Sequence, residues 1–192
     1  MKSSDILLVF DCFGVVVNAV SYEWLITIPN YKEIEKEVYK AFDMADRGLI
    51  SFDGVINRCA ELANVNPVDV KKYWIDNIKA LELVNHLKEL KEKYAVIMLT
   101  NATVEHINEA ISKCALEPLF DDIIISAKEK MAKPDIEFFN LAKTRFNCNY
   151  KKIFFMDDNP INVAASYDAG MVGILYKDYD SFTKELSKYI EV

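Results

Sequence analysis

Five short apolar runs, at residues 6–10 (ILLVF), 95–99 (AVIML), 122–126 (DIIIS), 153–156 (IFFM) and 172–176 (VGILY), are continuous rather than alternating. A strand that is apolar at nearly every position has to be covered on both faces, as strands of a parallel sheet between helices are. Helical patterns fill the gaps between the last four runs. Residues 103–115 place Val104, Ile107, Ile111 and Cys114 on one face, and residues 134–146 open with Pro134 in the first turn. Residues 160–169 take Asn159 as N-cap, Pro160 at the first helical position and Gly170 as the stop. Strand and helix in alternation predict a doubly wound, Rossmann-like parallel α/β sheet.

The first run breaks this rhythm, because the long segment between it and the second run reads as helix throughout. Patterns cover residues 31–46 up to Gly48, residues 52–63 after Ser51 as cap, a segment opening at Asn66 and Pro67, and residues 80–93. Helices inserted at that point are expected to lie over the carboxyl ends of the strands, where open α/β sheets bind ligands. The predicted division is a small helical cap at 18–87 and a core made of 1–17 and 88–192.

Three runs finish in polar residues: Asp11 after the first, Thr100 and Asn101 after the second, Asp157 and Asp158 after the fourth. In a doubly wound sheet these ends share one edge, and Lys133, just before Pro134, is expected to join them. Carboxylates brought together repel unless a cation sits among them, so oxygen ligands here imply a hard divalent ion, Mg²⁺. The lysine and the hydroxyl would face a bound anion. Cys12, Cys59, Cys114 and Cys148 are scattered, and with only His86 and His106 beside them they argue against zinc. Each cysteine reads as a small buried apolar residue.

A formal charge of −7 argues against a broad nucleic-acid surface, and no apolar run approaches the roughly 20 residues needed to cross a bilayer. With no signal-like start, the chain is expected in the cytoplasm, as a monomer or homodimer without nucleic-acid or membrane partners, acting on a small anionic molecule.

The four segments LLVFDCFG, VIMLTN, Lys133-Pro134-Asp135 and IFFMDDNPINV, in this order, resemble the motifs of the haloacid dehalogenase-like (HAD) hydrolase superfamily. The helical insertion resembles that family's cap placed after the first motif. The resemblance implies that Asp11 is a nucleophile forming a covalent aspartyl intermediate. It implies that Thr100, Asn101 and Lys133 hold the substrate's anionic oxygens, with Lys133 also orienting Asp11. Asp11, the backbone carbonyl of Phe13, Asp157 and Asp158 would bind Mg²⁺. The cap segment ADRGLISFDGVINRCAELANV looks most like sugar-phosphate phosphatases and the amino-terminal phosphatase domain of epoxide hydrolases, with Arg47 or Arg58 able to reach an anion or simply exposed.

Phe13 departs from the phosphatase pattern, which has a second Asp there as general acid and base. Losing such a group typically forfeits about 10²- to 10⁴-fold in rate. Three readings therefore stand: a Mg²⁺-dependent hydrolase of phosphorylated metabolites with altered proton transfer, a 2-haloacid dehalogenase, whose leaving halide needs no proton, or a catalytically impaired binding protein.

Overall fold

The computed structural model describes residues 5–145 and 150–190. Strands β1 (Ile6–Phe10), β2 (Ala95–Thr100), β3 (Asp122–Ile125), β4 (Lys152–Asp157) and β5 (Val172–Leu175) form one parallel sheet in the order β3-β2-β1-β4-β5. Side chains alternate across a strand, so each apolar run supplies both faces. Leu7, Val9, Ile97, Leu99, Ile153 and Phe155 enter one apolar cluster. Leu8, Phe10, Val96, Met98, Phe154 and Met156 enter the other. Leu7, Leu8, Val9 and Phe10 are all fully buried, each contributing roughly 1.5–3 kcal/mol. Central β1 is thus a hydrophobic axis, and the chain switches sides of it between β3 and β4.

Ten helices surround the sheet: α1 (Val20–Leu25), α2 (Tyr31–Asp46), α3 (Phe52–Ala63), α4 (Pro67–Asp76), α5 (Val84–Lys93), α6 (Val104–Cys114), α7 (Ser126–Glu129), α8 (Ile136–Thr144), α9 (Pro160–Asp168) and α10 (Tyr179–Leu186), among the described residues. Ser51, Asn66 and Asn159 accept N-capping bonds from Gly54, Val68 and Ile161. A third apolar cluster, from Trp24 to Trp74, holds α1–α4 together. Val20 before it and Ile78, Leu83 and Leu87 after it pack with the sheet. No helix among the described residues is long and apolar enough to cross a membrane.

Several boundaries differ from those read in the sequence. The helix expected from residue 80 starts at Val84, because Ala80 bridges to Val17 and the Leu81 N–H donates to the Val16 carbonyl. The helix expected from Pro134 starts at Ile136, and the carboxylate of Asp135, its N-cap residue, is spent on Arg47 rather than on the helix. Its expected last residue, Phe146, lies outside the described residues, as does Cys148. Ser126 opens α7 instead of ending β3, and Tyr176 lies beyond β5. Helices α1, α7 and α10 carry six, four and eight residues, too few turns for a periodic pattern to stand out.

Phe139 on α8 is fully buried and meets Phe155 edge-on at 5.1 Å, on the face of the sheet whose cluster excludes the helical insertion. Phe139→Ala is expected to lower the unfolding free energy by about 3–5 kcal/mol in urea titration. A loss under about 1 kcal/mol would mean that this face of the core is not packed as described.

Candidate active site at the carboxyl edge of the sheet

Register decides what meets at the strand ends. Phe10 pairs with Met156 on β4 and with Met98 on β2, so Asp11, Asp157 and the Thr100–Asn101 corner emerge side by side. The Asp11 N–H continues the ladder by donating to the Met156 carbonyl at 2.8 Å. Lys133 enters from the loop before α8 with its side chain fully buried. Its ammonium lies 2.8 Å from Asp11 Oδ1 and 2.7 Å from Asp157 Oδ2. Asn101 fixes that loop, its Nδ2 donating to the Lys133 carbonyl and its Oδ1 accepting the Lys133 N–H, both at 2.8 Å. The Asn101 amide is therefore spent on the main chain of Lys133.

The two buried acids are satisfied differently. Asp157 is saturated by protein donors, its Oδ1 accepting from the Asn159 N–H at 2.8 Å and its Oδ2 from Lys133. Asn162 Nδ2 reaches both oxygens at 3.1 Å. On Asp11 the Cys12 N–H and Lys133 both address Oδ1, at 2.7 and 2.8 Å. Oδ2 of Asp11 accepts no hydrogen bond among the described residues.

Three carboxylates face one ammonium. One oxygen each from Asp11, Asp157 and Asp158 lies within 4.8 Å of the others. Burial holds the Asp11 carboxyl up at about 8, against the pull of Lys133 and with Asp157 adding to the rise. Burial and Asp157 raise Asp158 as well. Burial alone would lower Lys133, but Asp11 and Asp157 outweigh it and hold the ammonium above the usual lysine range. One ammonium does not offset three carboxylates, and a hard divalent ion fits the oxygen set that Asp11, Asp157 and Asp158 bring together. Gly14 makes the approach of Asp158 possible, since its φ is +89° and a Cβ there would stand 2.2 Å from Asp158 Oδ2. Thr100 Oγ1 is buried without a hydrogen-bond partner, a costly state that a bound oxyanion would relieve.

Beside this edge lies a cavity of about 200 Å³. Phe13 and Asn101 form its near side, and Phe42, Phe52, Trp74 and His106 its apolar wall. Phe13 stacks on His106 at 4.5 Å, and His106 stacks in turn on Phe52 at 5.0 Å and Trp74 at 5.6 Å. Burial pushes the His106 imidazole down to about 3, so it is neutral there. Asp46, the last residue of α2, is the only acid in the lining among the described residues.

The remaining candidates lie apart. Arg47 is held by Asp43 and Asp135, and Arg58 pairs with Glu61 in the open, so neither lines this cavity. Burial raises the Cys12 thiol well above its usual range, which leaves it a packing residue. Sequence reasoning missed Asn162, although its place five residues after Asp157 in the first turn of α9 aims it back at the strand end. It also missed Asp46, an acid with no local pattern to mark it.

The family model described as haloacid dehalogenase-like hydrolase matches residues 23–175. A sesquiterpene phosphatase of Aspergillus oryzae is 33% identical over 105 residues, 54% of this chain and 54% of that protein. Bifunctional epoxide hydrolase 2 of Sus scrofa is 30% identical over 102 residues, 51% of this chain and 18% of that protein. The matches thus span about half the length of the first relative and under a fifth of the second. A HAD-family enzyme of Bacteroides thetaiotaomicron, crystallised with magnesium and inorganic phosphate, superposes with a TM-score of 0.71 at 25% identity, over 90% of this chain and 94% of that one.

Removing Lys133 leaves buried carboxylates uncompensated, and Lys133→Met is expected to cost about 3–5 kcal/mol of stability. Without Lys133 the folded value of Asp11 moves further above its ordinary 3.8. An acid raised in the folded state takes up a proton on folding, so stability falls as pH rises between the unfolded and folded values. Wild type shares this fall up to its own value of about 8, so the deficit of Lys133→Met against wild type should widen above that and be larger at pH 9.5 than at pH 7 in urea titrations. An equal or smaller deficit at pH 9.5 would contradict the ion-pair arrangement.

Proposed function

The chain belongs to the haloacid dehalogenase-like hydrolases, and on that footing we propose that it is a magnesium-dependent phosphatase with Asp11 as its nucleophile. The observation that carries this reading is the asymmetry of Asp11: both protein donors hold Oδ1 and leave Oδ2 uncommitted. Oδ2 attacks the phosphorus of a phosphate monoester, the ester P–O bond breaks, and an aspartyl phosphate forms. Water then attacks that phosphorus, releasing inorganic phosphate and restoring the carboxylate.

Thr100 supplies a hydroxyl donor to a phosphoryl oxygen, and Lys133 orients Asp11 while offsetting charge on the transferred group. Asp158, the Phe13 carbonyl and the Asp11 oxygen that does not attack are the groups that would hold Mg²⁺, with Asp157 aligning Lys133 beside them. The ion, when bound, neutralises charge on the phosphoryl oxygens. Asn101 acts through Lys133, whose main chain it holds at both ends.

The leaving group belongs in the cavity beside Phe13, whose wall is largely aromatic, with Ser21, Tyr22, Tyr39 and Thr103 as its hydroxyl-bearing members and Asp46 its one acid among the described residues. The aromatic share of that lining suits an alcohol with a large apolar part. The Aspergillus relative is a sesquiterpene phosphatase, and an alcohol of comparable polarity is the substrate class we assign. The division into a cap at 18–87 over a core of 1–17 and 88–192 is part of this reading, with the cap closing the cavity.

Beryllium fluoride with Mg²⁺ should trap wild type as an adduct on Asp11, and Asp11→Asn should lose both trapping and turnover. In a panel of phosphate monoesters, kcat/KM should be at least about 10-fold higher for an apolar alcohol than for a sugar phosphate. Metal binding without trapping or turnover would instead make the chain a binding protein. Metal-independent halide release from 2-haloacids would make it a dehalogenase.

A further inference from the structure

Phe13 leaves the proposed reaction without a proton carrier on the strand side of the site. We propose that Asp46, at the end of α2 in the cap, is the proton donor to the leaving alcohol and then the base for the attacking water. This rests on the aspartyl-phosphate reading above and names the group that completes it.

Four observations place Asp46 in that role. Among the described residues it is the only acid lining the cavity that also exposes Phe13, so it faces the space assigned to the leaving group. It makes no side-chain hydrogen bond or ion pair among the described residues, whereas its neighbours Asp43 and Arg47 are committed to each other. Its position is tied to the reacting groups: Arg47, one residue on, clasps Asp135, two residues from Lys133, with Nη1 to Oδ2 at 2.5 Å and Nη2 to Oδ1 at 3.3 Å. Finally, it is badly placed for stability. A carboxylate in the last turn of a helix meets the negative end of the helix dipole. Such local violations concentrate at functional sites.

Burial raises Asp46 to about 7, against the pull of Lys133 and of Arg47 and with a push from Asp43. From the other walls it shares the cavity with neutral His106 on α6 and with Tyr22 and Tyr39 on α1 and α2. A value near neutrality is what one group needs to give a proton and then take one. In the first step Asp11 Oδ2 bonds to phosphorus, the ester bond breaks toward the alcohol oxygen, and that oxygen takes the Asp46 proton. In the second, Asp46 carboxylate takes a proton from water as the water oxygen bonds to phosphorus and the bond to Asp11 breaks. Asp46 ends protonated, as it began.

The test compares wild type, Asp46→Asn and the double variant Asp46→Asn with Phe13→Asp, using p-nitrophenyl phosphate and an n-alkyl phosphate with Mg²⁺. Asp46→Asn should slow turnover of the alkyl ester by about 10²- to 10⁴-fold. With p-nitrophenyl phosphate, whose leaving group needs no proton, the first-turnover burst should survive while steady-state release falls, so that phosphorylated enzyme accumulates and is seen by intact mass. Phe13→Asp should restore at least part of the lost turnover by returning an acid to the strand side. The limb near pH 7 in the wild-type kcat profile should vanish in Asp46→Asn. Because an acid raised in the folded state destabilises at high pH, the melting temperature of Asp46→Asn at pH 8 should equal or exceed that of wild type.

Wild type that turns over while Asp46→Asn matches it within twofold overturns this inference alone. So does an equal loss of burst and steady state, which would mark a structural role. Wild type that neither turns over nor traps beryllium fluoride removes the phosphatase reading and this inference with it.

Discussion

One ammonium shared by two buried carboxylates organises this edge of the molecule. Parallel strands must end on a common side, and here the ends of β1 and β4 bring three acids, so the topology itself concentrates negative charge. Lys133 lies between Asp11 and Asp157 and answers part of that charge. Buried ion pairs rarely add net stability, because desolvation consumes much of the attraction. What this one supplies is orientation. Asn162 and the Asn159 N–H hold Asp157, Asp157 holds Lys133, and Lys133 holds one oxygen of Asp11. The other oxygen of Asp11 accepts no hydrogen bond among the described residues.

The apolar half of the site arises from a different constraint. At Phe13 the loop after β1 has no side-chain hydrogen bond to offer and instead offers a ring. That ring begins a stack running through His106 on α6 to Phe52 on α3 and Trp74 on α4, joining these elements by aromatic contact. Such pairs add about 0.5–1.5 kcal/mol each beyond their burial. Phe13 therefore belongs both to the loop after β1 and to the aromatic lining of the cavity.

The sheet was legible because its strands are covered on both faces, which writes uninterrupted apolar runs into the chain, and the longer helices because caps such as Ser51, Asn66 and Asn159 punctuate them. Asp11, Thr100, Asn101, Asp157 and Asp158 could be singled out because polar residues at the ends of apolar strands are conspicuous, and Lys133 was added as the lysine just before Pro134. Asn162 was within reach of the same argument carried one helical turn further. Asp46 and the aromatic wall were not. Periodicity tells which face of a helix is buried but not what it is buried against, and the placement of α2 over the strand ends depends on contacts such as Arg47 with Asp135, distant in sequence. Short α1, α7 and α10 fell below the length at which a period can be distinguished.

That Arg47 clasp is partly exposed, and pairs of this kind hold by only about 0–1 kcal/mol, so breaking it costs little by itself. Asp46 ends α2 and Arg47 follows it directly, so the two must travel together. If residues 18–87 act as the proposed cap, lifting them would carry the Asp46 carboxyl out of the cavity and closing would return it. Proton transfer and exclusion of bulk water would then be a single event in time, and an open molecule would be idle rather than leaky.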